Sequence, residues 1–152
     1  MGAEARRVSE VMQREVVTLD ASDRLDLADD VMRLGRVRHI PILADGRVVG
    51  IVTQRDLLAA SLSKALEFDP KQRRTFLHSI DVGEVMSREV VTVAPDALLG
   101  EAAGLLLGRR IGCLPVVKPD GTLVGLLTET DLLRAAFLSE EDAIDAEVVG
   151  EG

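Results

Sequence analysis

Two short segments of this chain hold a threonine and an aspartate at the same spacing, Thr53-x-x-Asp56 and Thr128-x-x-Asp131. A carboxylate can accept two hydrogen bonds from a cis-diol, and a hydroxyl can donate to a phosphate oxygen. Each pair stands where a helix is expected to begin, and free N–H groups there attract anions. The spacing is also that of a capping box, which stabilises a helix without any ligand. Both roles are compatible with the pattern.

The sequence around these two pairs is duplicated. Residues 8–18 reappear as residues 82–92, and Ile40-Pro41-Ile42 is matched by Leu114-Pro115-Val116, both at an offset of 74. One inserted residue, Pro119, shifts the offset to 75, so residues 45–58 match residues 120–133. Self-similarity over this length indicates a tandem repeat of one structural unit.

Each copy predicts a β-α-β-β-α unit. A short β-prone run at residues 16–19 is followed by Ser22, or by Asp96 in the second copy, as the expected N-cap of a helix. Apolar residues then recur at helical spacing: Leu25, Ala28, Val31 or Met32, and Leu34. Residues 39–43 and 48–52 read as two strands joined by an Asp-Gly turn. Thr53 is expected to cap a second helix that runs to about residue 66.

One such unit has too little core to be stable alone, so the two copies are expected to pack together. The predicted fold is α+β, with two repeats related by pseudo-two-fold symmetry and a shared ligand cleft. The predicted boundaries are repeat 1 at 1–66, a linker at 67–81, repeat 2 at 82–138 and an acidic tail at 139–152. The linker cations Lys71, Arg73 and Arg74 are interpreted as a solvated turn.

The repeated motifs carry a resemblance to a known family. They are Val-Met before Val-Val-Thr, the strands His39-Ile40-Pro41-Ile42 and Cys113-Leu114-Pro115-Val116, and the segments Gly50 to Asp56 and Gly125 to Asp131. The pair resembles the tandem cystathionine β-synthase (CBS) domain, or Bateman module. With no catalytic domain attached, the chain resembles the stand-alone members of this family in prokaryotes.

The resemblance implies a regulatory module that binds an adenosine-containing nucleotide such as AMP, ADP or ATP and requires no other cofactor. It implies that Asp56 and Asp131 hold ribose hydroxyls and that threonines contact ribose or phosphate. Those threonines are Thr18, Thr53, Thr92 and Thr128. The adenine would lie against the apolar-Pro strands, at Ile40, Pro41, Leu114 and Pro115. Thr18 and Thr92 are equally compatible with ordinary strand ends, and the apolar residues with simple core packing.

The two copies differ in their cations. Arg38, His39 and Arg55 stand in the first copy where the second has Gly112, Cys113 and Thr130. Because phosphates need cations or N–H groups, the first copy is predicted to be the stronger site for charged nucleotides. The alternative is that these cations are solvated surface charges.

Composition excludes several other functions. A net charge of −8 and an aromatic content of 2% disfavour nucleic acid as a partner. No apolar run approaches the roughly 20 residues of a membrane span. The chain has one cysteine, Cys113, and two histidines, His39 and His78, so a metal site is not expected. Cys113 is interpreted as a small core residue. No phosphate loop, nucleophile elbow or zinc-protease motif occurs, which predicts a protein without catalytic activity.

The expected protein is therefore a cytoplasmic homodimer of CBS pairs that binds an adenine nucleotide and acts on an unidentified regulated protein. Three alternatives remain. One is a ligand-free dimerisation scaffold, a second is a module for S-adenosylmethionine or NAD, and a third is an enzyme of unrecognised type.

Overall fold

Helices and small sheets alternate along the chain, which confirms the predicted α+β class. The computed structural model describes residues 2–65 and 69–138. The helices are α1 (Leu25–Gly35), α2 (Gln54–Ala65), α3 (Pro70–His78), α4 (Val82–Val85), α5 (Leu99–Arg109) and α6 (Glu129–Phe137). The strands are β1 (Leu19–Asp20), β2 (His39–Ala44), β3 (Arg47–Thr53), β4 (Cys113–Val117) and β5 (Leu123–Thr128). Short 3-10 turns occupy Ala3–Ala5 and Val8–Glu10. The predicted acidic tail at 139–152 lies outside the described residues.

The chain divides into two compact units. Residues Val16–Val90 form the first unit, and the described residues up to Glu15 and from Val91 form the second unit. The sequence copies and the units therefore do not coincide. The leader segment of each copy (residues 8–13 and 82–87) belongs to the unit built from the other copy.

In the first unit the three strands are ordered β1-β2-β3. Strand β1 is parallel to β2, with Leu19 opposite Ile42, and β2 is antiparallel to β3, with His39 opposite Thr53. The β2–β3 turn places Asp45 and Gly46 at φ values of 53° and 77°. An Asp-Gly pair tolerates this left-handed backbone, and it matches the twist of a hairpin. The predicted hairpin is confirmed.

The second unit repeats this plan. Strands β4 and β5 are antiparallel with Cys113 opposite Thr128, and Val93 forms a parallel bridge to Val116. The turn between them contains Gly121 at a φ of 90°. Helices of the same unit pack against each sheet, and the apolar residues form one core cluster per unit.

The leader segments are anchored on glycines. A Cβ at Gly50 would collide with the Met86 sulfur and lie 2.9 Å from the Ser87 carbonyl oxygen. A Cβ at Gly125 would meet the Met12 sulfur and lie 2.9 Å from the Gln13 carbonyl oxygen. Only glycine lets the leader approach the strand this closely.

The N-cap expected for the first helix is wrong in each unit, at Ser22 and at Asp96. Helix α1 begins after Arg24, and Ser22 instead donates through its backbone N–H and its hydroxyl to Asp20 Oδ1, at 2.9 and 2.7 Å. These bonds hold the pKa of the Asp20 carboxyl below its usual value. Likewise α5 begins after Leu98 rather than at Asp96. In the first unit, Ser22 bonds to Asp20 within its own turn and therefore does not cap the helix.

The apolar periodicity of α1 also ends earlier than predicted. Leu25, Ala28 and Met32 are buried, whereas Leu34 is 81% exposed. The helix ends one residue later, at Gly35, and Arg36 follows in the left-handed conformation. Leu34 lies nine positions after Leu25, and at 3.6 residues per turn this spacing places it on the opposite face of the helix, toward solvent.

The segment between the two copies contains helix α3. Asp69 accepts from the Gln72 backbone N–H at 2.8 Å, the Gln72 side chain accepts from the Asp69 N–H at 3.0 Å, and Pro70 occupies the first turn. This is a complete capping box with proline in its preferred place. The interpretation of this segment as a solvated turn is therefore wrong.

Helix α3 packs on α1. Arg73 Nη1 lies 3.3 Å from Asp29 Oδ2, and Arg74 Nη2 lies 2.8 Å from Asp30 Oδ2. The Arg74 guanidinium holds the pKa of the Asp30 carboxyl below its usual value. Ion pairs at the surface contribute little to stability. The main anchor of α3 is therefore Leu77, which is 1% exposed and packs in the core of the first unit.

Candidate functional site

The first unit brings the predicted ligand residues to one end of its sheet. His39 begins β2 and lies opposite Thr53, which ends β3. The Gln54 N–H, at the start of α2, donates to the Arg38 carbonyl oxygen at 2.9 Å. Since β1 runs parallel to β2 with Leu19 opposite Ile42, Thr18 lies just before β1, on the side of the sheet toward the beginning of β2. We call this set the first strand-end site: Thr18, Arg38, His39, Thr53, Arg55 and Asp56.

The second unit builds the matching second strand-end site from Thr92, Gly112, Cys113, Thr128, Thr130 and Asp131. Cys113 lies opposite Thr128, and the Glu129 N–H donates to the Gly112 carbonyl oxygen at 3.4 Å. Thr92 is exposed and precedes Val93, whose N–H donates to the Pro115 carbonyl oxygen at 3.1 Å. The same turn from strand to helix therefore presents threonines and an aspartate in both units, whereas Gly112, Cys113 and Thr130 replace the three cations of the first site.

The apolar members of the predicted site lie in the cores. Ile40, Pro41, Leu114 and Pro115 are all fully buried. Ile40 belongs to the core cluster of the first unit and Leu114 to that of the second. Their burial is compatible with core packing, and a contact with adenine stays a prediction.

The carboxylate of the first strand-end site is only partly used. The Thr53 backbone N–H donates to Asp56 Oδ2 at 2.8 Å, and the Asp56 N–H donates to the Thr53 hydroxyl oxygen at 3.1 Å. Asp56 is half-buried, and no partner for its Oδ1 is present among the described residues. The capping box is therefore formed, and one carboxylate oxygen still faces solvent and can accept a ligand hydroxyl.

The carboxylate of the second strand-end site is more fully bonded. Asp131 Oδ2 accepts from the Thr128 N–H at 2.8 Å and from the Thr128 hydroxyl at 3.0 Å. The Gln13 side-chain Nε2 lies 3.3 Å from both carboxylate oxygens, and Asp131 is 5% exposed. Sequence reasoning missed Gln13. The signal was present, because Gln13 and Ser87 differ at the end of otherwise closely matching leaders.

The cations of the first strand-end site differ in their surroundings. Arg38 and Arg55 are exposed, and His39 is half-buried. Arg55 also lines a groove of about 420 Å³ between the helices, together with Arg33 and Arg73. Thr18, Thr53 and Asp56 do not line this groove. Arg38 thus stands just before β2, at the strand end, whereas Arg55 also lines the groove between the helices.

Cys113 fits the predicted role of a small core residue. It is 5% exposed, and burial raises the pKa of its thiol to about 12. A thiol with this pKa stays protonated at neutral pH and is a poor nucleophile.

Within residues 2–65 and 69–138, no group of three metal-ligating side chains comes together. Over the same ranges, none of the helices has the length and apolar character of a membrane span.

Comparison with known proteins identifies the family. The family model for the CBS domain matches residues 8–63 and again residues 82–138. The chain belongs to the CBS-domain family. It is 31% identical over 127 residues to a CBS domain-containing protein of Dictyostelium discoideum, a match that covers 83% of this chain and 88% of that one.

Other relatives share the CBS pair as part of a different protein. A homoserine O-acetyltransferase of Methanohalophilus mahii is 37% identical over 122 residues, which is 80% of this chain but 22% of the enzyme. Such a match concerns less than a quarter of the enzyme's length.

Solved CBS structures share the fold. The CBS domain of a CBS domain containing membrane protein from Sphaerobacter thermophilus has a TM-score of 0.75 and 26% identity, covering 90% of this chain and 91% of that one. CBSX2 in complex with AMP has a TM-score of 0.72 and 29% identity, covering 86% and 95%.

Proposed function

We propose that this CBS pair is a regulatory module that binds an adenosine-containing nucleotide (AMP, ADP or ATP) at its strand-end sites. The single observation that carries the proposal is the half-buried carboxylate of Asp56. It is held by Thr53 at the beginning of α2 and keeps Oδ1 open to solvent. A fixed carboxylate with one open oxygen is suited to accept hydrogen bonds from a ribose diol.

The cations near Asp56 support a phosphorylated ligand. Arg38 stands exposed at the same strand end, and the backbone N–H groups at the start of α2 add a partial positive charge. The complex of CBSX2 with AMP shows that a relative of 29% identity binds such a ligand. Regulation, rather than catalysis, is the role we assign to the bound nucleotide in this chain.

The proposed output is a change in conformation or in oligomeric state that a regulated protein recognises. A ligand shifts such an equilibrium by its differential affinity for the two states. We include a homodimer in the proposal. Leu58 on α2 and Leu133 on α6 hold equivalent positions in the two copies, and each is 59% exposed. A second copy of the chain would remove these leucines from water.

Isothermal titration of the purified protein with AMP tests the binding proposal. Asp56→Asn keeps the size of the side chain and an oxygen for the cap but removes the charge that strengthens hydrogen bonds to ribose. We expect AMP affinity to fall by about tenfold or more, as for the loss of charge-assisted hydrogen bonds. Glu101→Gln, on the exposed first turn of α5, removes the same charge away from both sites and serves as the control.

Two results would contradict the proposal. One is the absence of heat with AMP, ADP and ATP in protein shown to be free of bound nucleotide. The other is equal AMP affinity in Asp56→Asn and in the control. Either result would favour the ligand-free scaffold, in which Thr53 and Asp56 serve only to cap α2. Sedimentation velocity of the same samples, with and without AMP, tests the homodimer and its response to ligand.

A further inference from the structure

Gln13 bonds to Asp131 in the way that a diol would. Its Nε2 lies 3.3 Å from Oδ1 and 3.3 Å from Oδ2 of the carboxylate. An amide nitrogen carries two N–H donors, and a ribose cis-diol carries two O–H donors. With the two bonds from Thr128, these contacts give the buried carboxylate a partner on both oxygens.

The backbone of Gln13 is held by hydrogen bonds of its own, separate from those that its side-chain amide makes to Asp131. The Gln13 N–H donates to the Leu126 carbonyl oxygen at 2.9 Å, and the Leu126 N–H donates to the Gln13 carbonyl oxygen at 2.9 Å. The preceding Met12 packs on Gly125. Gln13 itself is exposed. Moving its amide away from Asp131 therefore requires rotation about side-chain bonds only.

Ser87 occupies the equivalent place in the first unit. Its N–H donates to the Ile51 carbonyl oxygen at 2.9 Å, and the Ile51 N–H donates to the Ser87 carbonyl oxygen at 3.0 Å. The backbone geometry thus repeats, but the serine side chain is short. No hydrogen bond between Ser87 and Asp56 is present among the described residues, and Asp56 Oδ1 stays open.

We propose that Gln13 is a built-in competitor for the second strand-end site and sets the order in which the two sites fill. The proposal rests on the nucleotide-binding function above. A nucleoside diol reaches Asp56 directly, whereas at Asp131 it must first displace the Gln13 amide. Losing the amide's hydrogen bonds to a charged group lowers the apparent affinity of the second site by about tenfold.

The test exchanges the two leader residues and reads each site separately with AMP. In an Asp56→Asn background, the second site dominates the titration. There Gln13→Ser, which copies Ser87, should raise AMP affinity by about tenfold. Gln13→Ala should do the same, which shows that the gain does not come from the new hydroxyl.

The reciprocal variant completes the design. In an Asp131→Asn background, Ser87→Gln should lower AMP affinity at the first site, while Gln13→Ser should leave it unchanged. Circular dichroism melting of each variant confirms that it is folded, which is expected because both leader residues are exposed and keep their backbone bonds.

The outcomes separate the two proposals. If AMP binds with the expected dependence on Asp56, but neither Gln13→Ser nor Gln13→Ala raises affinity at the second site, the competitor role of Gln13 is overturned and the binding function stands. If the unchanged protein and every variant fail to bind AMP, the binding function fails and the role of Gln13 fails with it.

Discussion

The two units share one architecture but differ in the segment that precedes each leader. In the first unit this segment is the nine-residue helix α3, which packs on α1. In the second unit it is the three-residue turn Ala3–Ala5, which packs on α5. The leader and the sheet are therefore the repeated part of the structure. The segment that packs on the first helix of each unit (α3 on α1, residues 3–5 on α5), which we call the cover, differs between the units.

The residues beneath the two covers explain how this difference is accommodated. Asp29 and Asp30 on α1 pair with arginines of α3, and the equivalent positions of α5 are Ala103 and Gly104. One turn earlier, a Cβ at Gly100 would lie 3.1 Å from the Glu4 Cβ, so α5 needs a small residue where the chain approaches it closely. The charged helix α1 therefore takes a charged cover, and the small residues of α5 leave space for a short turn.

The largest effect is expected when helix α3, the cover of the first unit, loses its buried side chain. Leu77→Ala removes the buried anchor of α3 and should lower the free energy of unfolding by about 2–5 kcal/mol, because it leaves a cavity in the core. Urea unfolding followed by circular dichroism measures the change. Leu107→Ala, at a position that is 81% exposed on α5, should change stability by less than about 0.5 kcal/mol. A cost for Leu77→Ala that is as small as the control's would show that α3 is not anchored by this residue.

The second prediction sharpens what the units have in common. Gly50→Ala and Gly125→Ala each force a methyl group against a leader methionine, and each should cost about 1–3 kcal/mol of unfolding free energy. Gly104→Ala is the control, because no other side chain lies within 4 Å of the place its methyl group would take, and alanine favours a helix by about 0.5–1 kcal/mol. Strongly unequal costs for Gly50 and Gly125 in thermal or urea unfolding would mean that the two leaders are not held alike.

The smallest effect distinguishes the two capping boxes. Thr53→Ala and Thr128→Ala should each cost about 0.5–2 kcal/mol, as for the loss of an N-cap. Thr128→Ala should cost more, because it also removes a hydroxyl donor from the buried carboxylate of Asp131. Thermal unfolding of both variants, with Thr→Ser at each position as the conservative control, measures the difference. A larger loss in Thr53→Ala would contradict the assigned bonding of Asp131.

Much of the local structure was predictable because it depends on neighbouring residues. The Asp45-Gly46 turn, the apolar strands around it and the Thr-x-x-Asp boxes were all readable from spacing. The capping box of α3 was equally local, with Asp69, Pro70 and Gln72 in the expected order. The repeat pattern does not indicate this helix, because the segment lies between the two copies and has no counterpart in either.

The candidate site was predictable in its parts but not in its bonding. Thr53, Asp56, Thr128 and Asp131 stand where the repeat implied, at the beginnings of α2 and α6. The contact of Gln13 with Asp131 joins residues 118 positions apart, and no periodicity within one copy indicates it. The exchange of leaders between the units is likewise invisible to any comparison of one copy with the other.

By itself, then, the sequence determined the duplication, the family, the two hairpins and the polar residues at the strand ends, because turns and caps form between residues a few positions apart. The tertiary structure alone decided which leader each sheet receives, how α3 covers α1 and which carboxylate stays open. These features depend on the path of the chain between distant residues and on the close fit of Met12 and Met86 against glycine.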